Sequence, residues 1–405
     1  MQTFKSWLAA WAAVAIAASV GAVAQAQALN ANAPTVKVGV IGPFTGPSSD
    51  FGTQMLEGIQ LAFEEINSVG GYMGRSYELV VRDDQATPEL GLQAAKDVVN
   101  AGVVATLGYC NTGVAAKSLE VFQNAKLPLI IPCATGTPLT AQYPAASSYI
   151  FRTSPRDAVQ APYVVSDIVR RGWTHVAIFA DTTGYGEAGL KDVEAALASH
   201  SLKPVHVARF PLGVKDLQSE LRAARDAGAD VVFSYTVGVE NAVIANGRKA
   251  LKWSVPQVGA WPLSFPFFIN GAKDAAEGAM MAQTFIAEPS NERRASFLTA
   301  YKRKFHKPMA VPMAAAQGYD AAYLLAFALF GIRDGNLAGL TVKTALENIS
   351  RTYYGVVATY ERPFSLNDKD ALTENMLVMG KVANGAVTFA RAEDAKRNLL
   401  VKRKN

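Results

Sequence analysis

The chain has 405 residues, half of them apolar and 18% charged, which is too long for one ordinary core and points to two globular domains. That composition excludes a disordered or fibrous protein. The formal charge of +5 is spread along the chain apart from the terminal "VKRKN", so a phosphate-binding surface and a nucleic-acid partner are not expected.

The elements begin after a leader. Lys5 supplies a positive start, Leu8 to Val23 is an apolar run, and "AVAQAQA" offers small residues in the A-x-A pattern, so residues 1–28 are expected to be a secretory signal peptide. The run is short for a membrane span and has no stop-transfer signal. No cysteine follows it to take a lipid. The mature protein is therefore expected to be soluble and exported to the periplasm, where thiols can oxidise.

Strand-like and helix-like segments then alternate. "TVKVGVIGPF" is a β-branched run closed by Gly and Pro, and "SSDFGTQMLEGIQLAFEEINSVGG" sets Leu56, Ile59, Phe63 and Ile66 at helical spacing. "YELVVRDD", "VVATLGY" and "LPLIIP" read as strands, separated by amphipathic helices. After "YIFRTSP" a second series opens with "THVAIFAD", "PVHVARF", "DVVFSYT" and "VPQVGA", with helices near Gly186–Ser199, Asp216–Ala227 and Glu240–Leu251. Residues 279–286 are strand-like again, and Glu292–Phe305 and Met313–Arg333 are helical. The apolar stretch within the last of these carries Asp320 and reads as a buried helix, not a span. Near the end, Asn384-Gly385 between two strand-like runs signals a hairpin. Short apolar strands separated by helices imply parallel sheets covered on both faces, hence an α/β fold of two doubly wound units. The first lobe is expected to take residues 29–150 plus 279–360, and the second 151–278 plus 361–405.

Ligands of such sheets sit beyond the carboxyl ends of the strands. The two cysteines stand there, in "CNTG" (Cys110 to Gly113) and "CATG" (Cys133 to Gly136), so Asn111, Thr112 and Thr135 offer hydroxyl, amide and backbone donors at one place. That set suits a carboxylate, though Asn and Thr at such turns also serve simply as caps. Aromatic residues gather at the same ends: Phe44, Phe51, Tyr109, Tyr185, Trp261 and Phe265. Several together suggest a pocket wall.

Catalytic patterns are missing. His175, His200, His206 and His306 stand apart from any ligand-spaced partner, so no metal is expected. There is no nucleophile elbow, phosphate loop or dinucleotide fingerprint, and no cofactor is expected. The acid pairs Asp83-Asp84 and Glu64-Glu65 read as structural or solvated.

These features together resemble the periplasmic solute-binding proteins of branched-chain amino acid ABC transporters, the type I group. "VKVGVIGPFTGPSSDFGTQMLEGIQLAFEEINSVGGYMGRSYELVVRDDQATPELG" is similar to the family's opening, and "DTTGYGEAG" to its interdomain tyrosine loop. The resemblance implies two lobes joined by three crossings, a ligand enclosed between them, no catalysis, and delivery to a membrane permease by a monomer. It puts the ligand's carboxylate at Asn111 or Thr112 and at Thr135, with backbone from Cys133 and Ala134, and Tyr185 closing from the second lobe. Trp261 departs from the pattern, standing where amino-acid-binding members place an acid for the ammonium group. An unpartnered ammonium would cost several kcal/mol in a closed cleft. The expected ligand is therefore an aromatic or other organic acid without an amino group. An amino acid remains open if Glu240 or Asp181 supplies the missing charge, and a sensor on the same fold is a further alternative. Because neighbouring parallel strands lie about 4.8 Å apart, Cys110 and Cys133 are within reach of a disulfide, and a bridge or two buried thiols are both compatible with the sequence.

Overall fold

The computed structural model describes residues 34–395. The signal peptide expected over residues 1–28 lies outside the described residues.

The first sheet contains β1 (Val36–Gly42), β2 (Tyr77–Asp83), β3 (Ala105–Gly108), β4 (Leu129–Ile131) and β5 (Ile150–Arg152), all parallel in the order β2-β1-β3-β4-β5. Helices α1 (Ser49–Ser68), α2 (Pro88–Asn100) and α3 (Thr112–Asn124) cover its faces. β1 is buried along both faces except at Lys37, as its near-continuous apolar run requires.

The second unit repeats this order. α4 (Asp157–Arg170) leads into β6 (Val176–Asp181), α5 (Gly184–Ser199), β7 (His206–Phe210), α6 (Gln218–Asp226), β8 (Val231–Tyr235), α7 (Glu240–Ala250), β9 (Gln257–Gly259), α8 (Pro266–Ala272) and β10 (Met280–Gln283). The strands run β7-β6-β8-β9-β10, all parallel, with a hairpin of β13 (Val378–Ala383) and β14 (Ala386–Phe389) added antiparallel at the β10 edge. Asn384 and Gly385 both take positive φ at the hairpin tip, the backbone that an Asn-Gly turn supplies.

Between β10 and the hairpin the chain returns to the first lobe. There it forms α9 (Glu292–Phe305), α10 (Pro312–Phe330), α11 (Gly339–Glu347) and the two-residue strands β11 (Tyr353–Tyr354) and β12 (Thr359–Tyr360). α10 is buried almost throughout and crosses α1 closely enough that a Cβ on Gly58 would lie 1.9 Å from the Ala315 carbonyl oxygen. The greasy stretch around Asp320 is thus a core helix. Asp320 itself accepts from the Val356 and Val357 N–H groups and the Tyr353 and Tyr360 hydroxyls, which satisfies its burial.

The chain passes between lobes three times, after β5, after β10 and before β13. The second and third passages fall later than the sequence boundaries at 279 and 361. Met280–Gln283 is the fifth strand of the second sheet, hydrogen-bonded to both β9 and β13. Asp370 still pairs beside Arg152 of the first sheet, Arg152 N donating to Lys369 O at 2.8 Å and Ala371 N to Arg152 O at 2.8 Å. Boundaries drawn from hydrophobic runs cannot register this, because strand pairing and not local composition assigns a strand to its sheet.

Candidate functional site: the cleft between the lobes

The carboxyl ends of the two sheets face each other, and the lobes touch there. A Cβ built on Gly184, first residue of α5, would lie 3.4 Å from Cα of Gly113 in the first turn of α3. Two helix N-termini therefore converge, each presenting its positive dipole end. They are finished differently. Thr183 caps α5, accepting from Tyr185 N and Gly186 N, whereas Asn111 at the start of α3 makes no side-chain cap and instead donates through Nδ2 to Ser48 Oγ at 3.2 Å. Its Oδ1 is buried without a partner. An uncapped helix start in a closed polar corner is suited to an anion.

Thr112 and Thr135 are brought together beside it, as the paired tetrapeptides implied. Thr112 Oγ1 accepts from Gly136 N at 3.2 Å, tying one segment to the other. Arg152 underpins the second, donating to the carbonyls of Thr135 and Gly136 at 3.0 and 2.7 Å, and to Thr140 Oγ1 at 2.7 Å. Arg152 is fully buried and its Nε meets Asp370 at 2.6 Å, so the anchor segment is braced by a hinge ion pair.

Aromatic rings also join the lobes. Phe51 of α1 stacks on Phe265 at 5.1 Å, and Trp261 meets Phe265 edge-on at 5.2 Å, which joins the lobes through aromatic contact. Tyr185 tilts against Tyr235 at 4.8 Å. Phe44 is half-buried in the loop after β1, its N–H held by Asp83 Oδ1 at 2.8 Å, and it packs near Met55 at the cleft's edge. Asp83 thus shapes that loop, while its neighbour Asp84 is buried with one free oxygen and burial pushes its carboxyl up to about 7.

Two expected contributions lie elsewhere. The Tyr109 ring turns away from the cleft into the layer between α2 and α3, edge-on to Phe122, and its hydroxyl donates to Gly91 O at 3.0 Å. Ala134 is buried with both backbone groups engaged, N–H on Tyr109 O and carbonyl on Ser154 Oγ, so it has no donor to spare. Side chains at strand ends alternate faces, and spacing alone did not tell which face Tyr109 would take.

Cys110 and Cys133 are free thiols, not a bridge. Both are buried under the anchor segments, and Cys110 Sγ sits 3.6 Å from Met55 Sδ. Burial pushes the Cys110 thiol up, and the neighbouring Cys133 adds to this. They pack as small apolar side chains.

Of the acids weighed as replacements for one at Trp261, Asp181 has both oxygens engaged and Glu240 one, its Oε2 being buried without a partner. Asp181 Oδ1 accepts from Thr183 N and Oγ1, and its Oδ2 from Val237 N at 2.9 Å. Glu240 Oε1 accepts from Gly213 N at 2.6 Å. A third acid, Asp157, first residue of α4, is fully buried near Thr135, Tyr185 and Tyr235, and nothing local in the sequence marks it. Its Oδ2 is buried with the Tyr185 and Tyr235 hydroxyls, and the Tyr235 and Thr135 hydroxyls interact with the carboxyl. Burial pushes its carboxyl up to about 7. Tyr235 was legible only as one more aromatic at a strand end. Among the described residues no group of three His, Cys, Asp or Glu is placed to hold a metal ion, and no helix is long and apolar enough to cross a membrane.

Known proteins share this architecture. A family model described as "Periplasmic binding protein" matches residues 35–386. The Leu/Ile/Val-binding protein homolog 3 of Brucella melitensis is 34% identical over 223 residues, 54% of this chain and 58% of that one, so the match spans just over half of the relative's length. A leucine binding protein from Thermotoga maritima superposes with a TM-score of 0.76 at 23% identity, covering 89% of this chain and all of that one. A solute-binding protein from R. palustris in complex with benzoate superposes at 0.75 with 16% identity, covering 88% and 95%. The chain belongs to the periplasmic binding protein family, with the fold of its type I members.

Proposed function

We propose that this protein is the substrate-binding component of an ABC importer, and that it captures an aromatic or other organic carboxylate lacking an amino group between its two lobes. Ligand contacts made to both lobes exist only when the cleft is closed, so the ligand shifts the population toward the closed form that a permease receives. The fold does not choose the ligand, since a leucine binding protein and a benzoate complex share it. The residues support a choice. The observation that carries the reading is the ring contact of Phe51, Phe265 and Trp261 across the lobes, beside the uncapped α3 start and the Thr112–Gly136 tie. Polar donors on one side and aromatic faces on the other match a benzoate-like or cinnamate-like acid. Asp181 has both oxygens engaged and Glu240 Oε1 is held by Gly213 N, so no acid takes the place of one at Trp261 to neutralise an ammonium.

A second reading has one observation in its favour. Asp157, if ionised, would pair an α-ammonium held beside Thr135, and an amino acid would then fit. Calorimetric titration with benzoate, cinnamate and leucine decides between them. Binding of a simple acid without leucine is expected, and binding of leucine alone overturns the organic-acid reading.

A further inference from the structure

We propose that Asp157 determines which ligands the cleft accepts: it holds a proton against the ligand's carboxylate, so the protein takes up an organic anion and a proton together. This rests on the organic-acid reading above.

The position is fixed by the chain itself. Asp157 N donates to Thr135 O at 2.9 Å, which sets the carboxyl beside the threonine that anchors the ligand. Oδ1 takes the Gln160 amide at 3.1 Å, and Oδ2 is left facing inward. The groups around it come from each packed element. β8 brings the Tyr235 hydroxyl, α5 brings Tyr185 and Asp192, the segment after β4 brings Thr135, and β5 brings Arg152. Arg152 is engaged with Asp370 and three oxygens of the anchor loop, and Arg156 of the preceding turn reaches Asp370 at 3.4 Å from a partly exposed position. Asp192 accepts from Thr137 Oγ1 at 2.6 Å and adds negative charge.

Arg152 acts on Asp157 only at a distance, its donors being engaged by other oxygens. A carboxylate arriving at Thr112 and Thr135 would place a second negative charge in the same closed corner, where water cannot screen it. Protonating Asp157 removes that repulsion and turns an acceptor into a donor, the group an incoming carboxylate needs. Burial already brings the carboxyl up to about 7 in the ligand-free chain, so the proton is within reach at physiological pH. A zwitterion would behave oppositely, since its ammonium would hold Asp157 ionised.

The sign follows from linkage. With the ligand's own carboxyl ionised throughout, affinity is constant below about pH 7 and falls up to tenfold per pH unit above it. Benzoate titrated calorimetrically near pH 8, in two buffers of different ionisation heat, is expected to show uptake approaching one proton per molecule bound. Asp157→Asn is expected to bind benzoate with no proton uptake and a flat pH profile. If that variant does not fold, the two-buffer count on the unaltered protein still decides. Benzoate binding to the unaltered protein with no proton uptake and no pH dependence overturns the inference and leaves the organic-acid reading standing. Leucine binding alone, weakened at least a hundredfold by Asp157→Asn, overturns both and makes Asp157 the partner of an ammonium group.

Discussion

Phe51 and Phe265 stack with centroids 5.1 Å apart, although one begins α1 in the first lobe and the other precedes α8 in the second. Both rings are almost wholly buried, so each excludes water from the other, and Trp261 meets Phe265 edge-on. Shortening the ring without emptying the site tests its contribution. Phe265→Leu is expected to weaken benzoate binding roughly tenfold, the size of one aromatic pair beyond area burial, while the chain still folds. Equal affinity in titration would mean that the ring is core only.

Gly136 is required by its neighbour. A Cβ there would lie 2.2 Å from Thr112 Cγ2 and 2.9 Å from Thr112 Oγ1. Gly136→Ala therefore displaces the threonine and breaks the tie that sets the anchor. An affinity loss of tenfold or more, with unfolding shifted by no more than about 1 kcal/mol, is the expected outcome by titration and urea melts.

The hinge pair is expected to behave as a buried ion pair. Burial raises the Asp370 carboxyl, but Arg152 foremost and Arg156 outweigh it and hold the group below the usual carboxylate range. Its stabilisation is present above the unfolded value near pH 4 and is lost as pH falls through the lower folded value. Asp370→Ala leaves the fully buried Arg152 guanidinium unpaired, an expected cost of about 3–5 kcal/mol in urea unfolding at neutral pH. Ligand affinity is expected to fall as well, since Arg152 also holds the carbonyls of Thr135 and Gly136.

Asp84 gives the opposite pH trend. Burial raises its carboxyl to about 7, so the contribution is full below pH 4, where both states are protonated, and declines until pH passes about 7. Asp157, also raised to about 7, and Asp320, raised to about 6, add slopes of the same sign. Asp84→Asn is expected to be more stable than the unaltered chain at pH 8 by about 1–3 kcal/mol and to lose that advantage at pH 4. Denaturant midpoints at the two pH values check this.

Much of the molecule was legible along the chain. Apolar runs of strand length, helices with period 3.6 and Gly or Pro stops are local properties, so the succession of strands and helices along each unit, the core helix around Asp320 and the Asn384-Gly385 hairpin could be read from residues alone. The paired tetrapeptides pointed to Asn111, Thr112 and Thr135 because strand ends in a doubly wound sheet share one rim. Facing and pairing were decided by tertiary structure. Whether Tyr109 turned toward the cleft, whether Met280–Gln283 joined the second sheet, and whether Ala134 kept a spare donor all depend on partners distant in sequence. Asp157 belongs to the same class. Alone it is one acid at a helix start, and only the approach of Thr135, Tyr185 and Tyr235 from three other segments makes it a buried carboxyl raised to about 7.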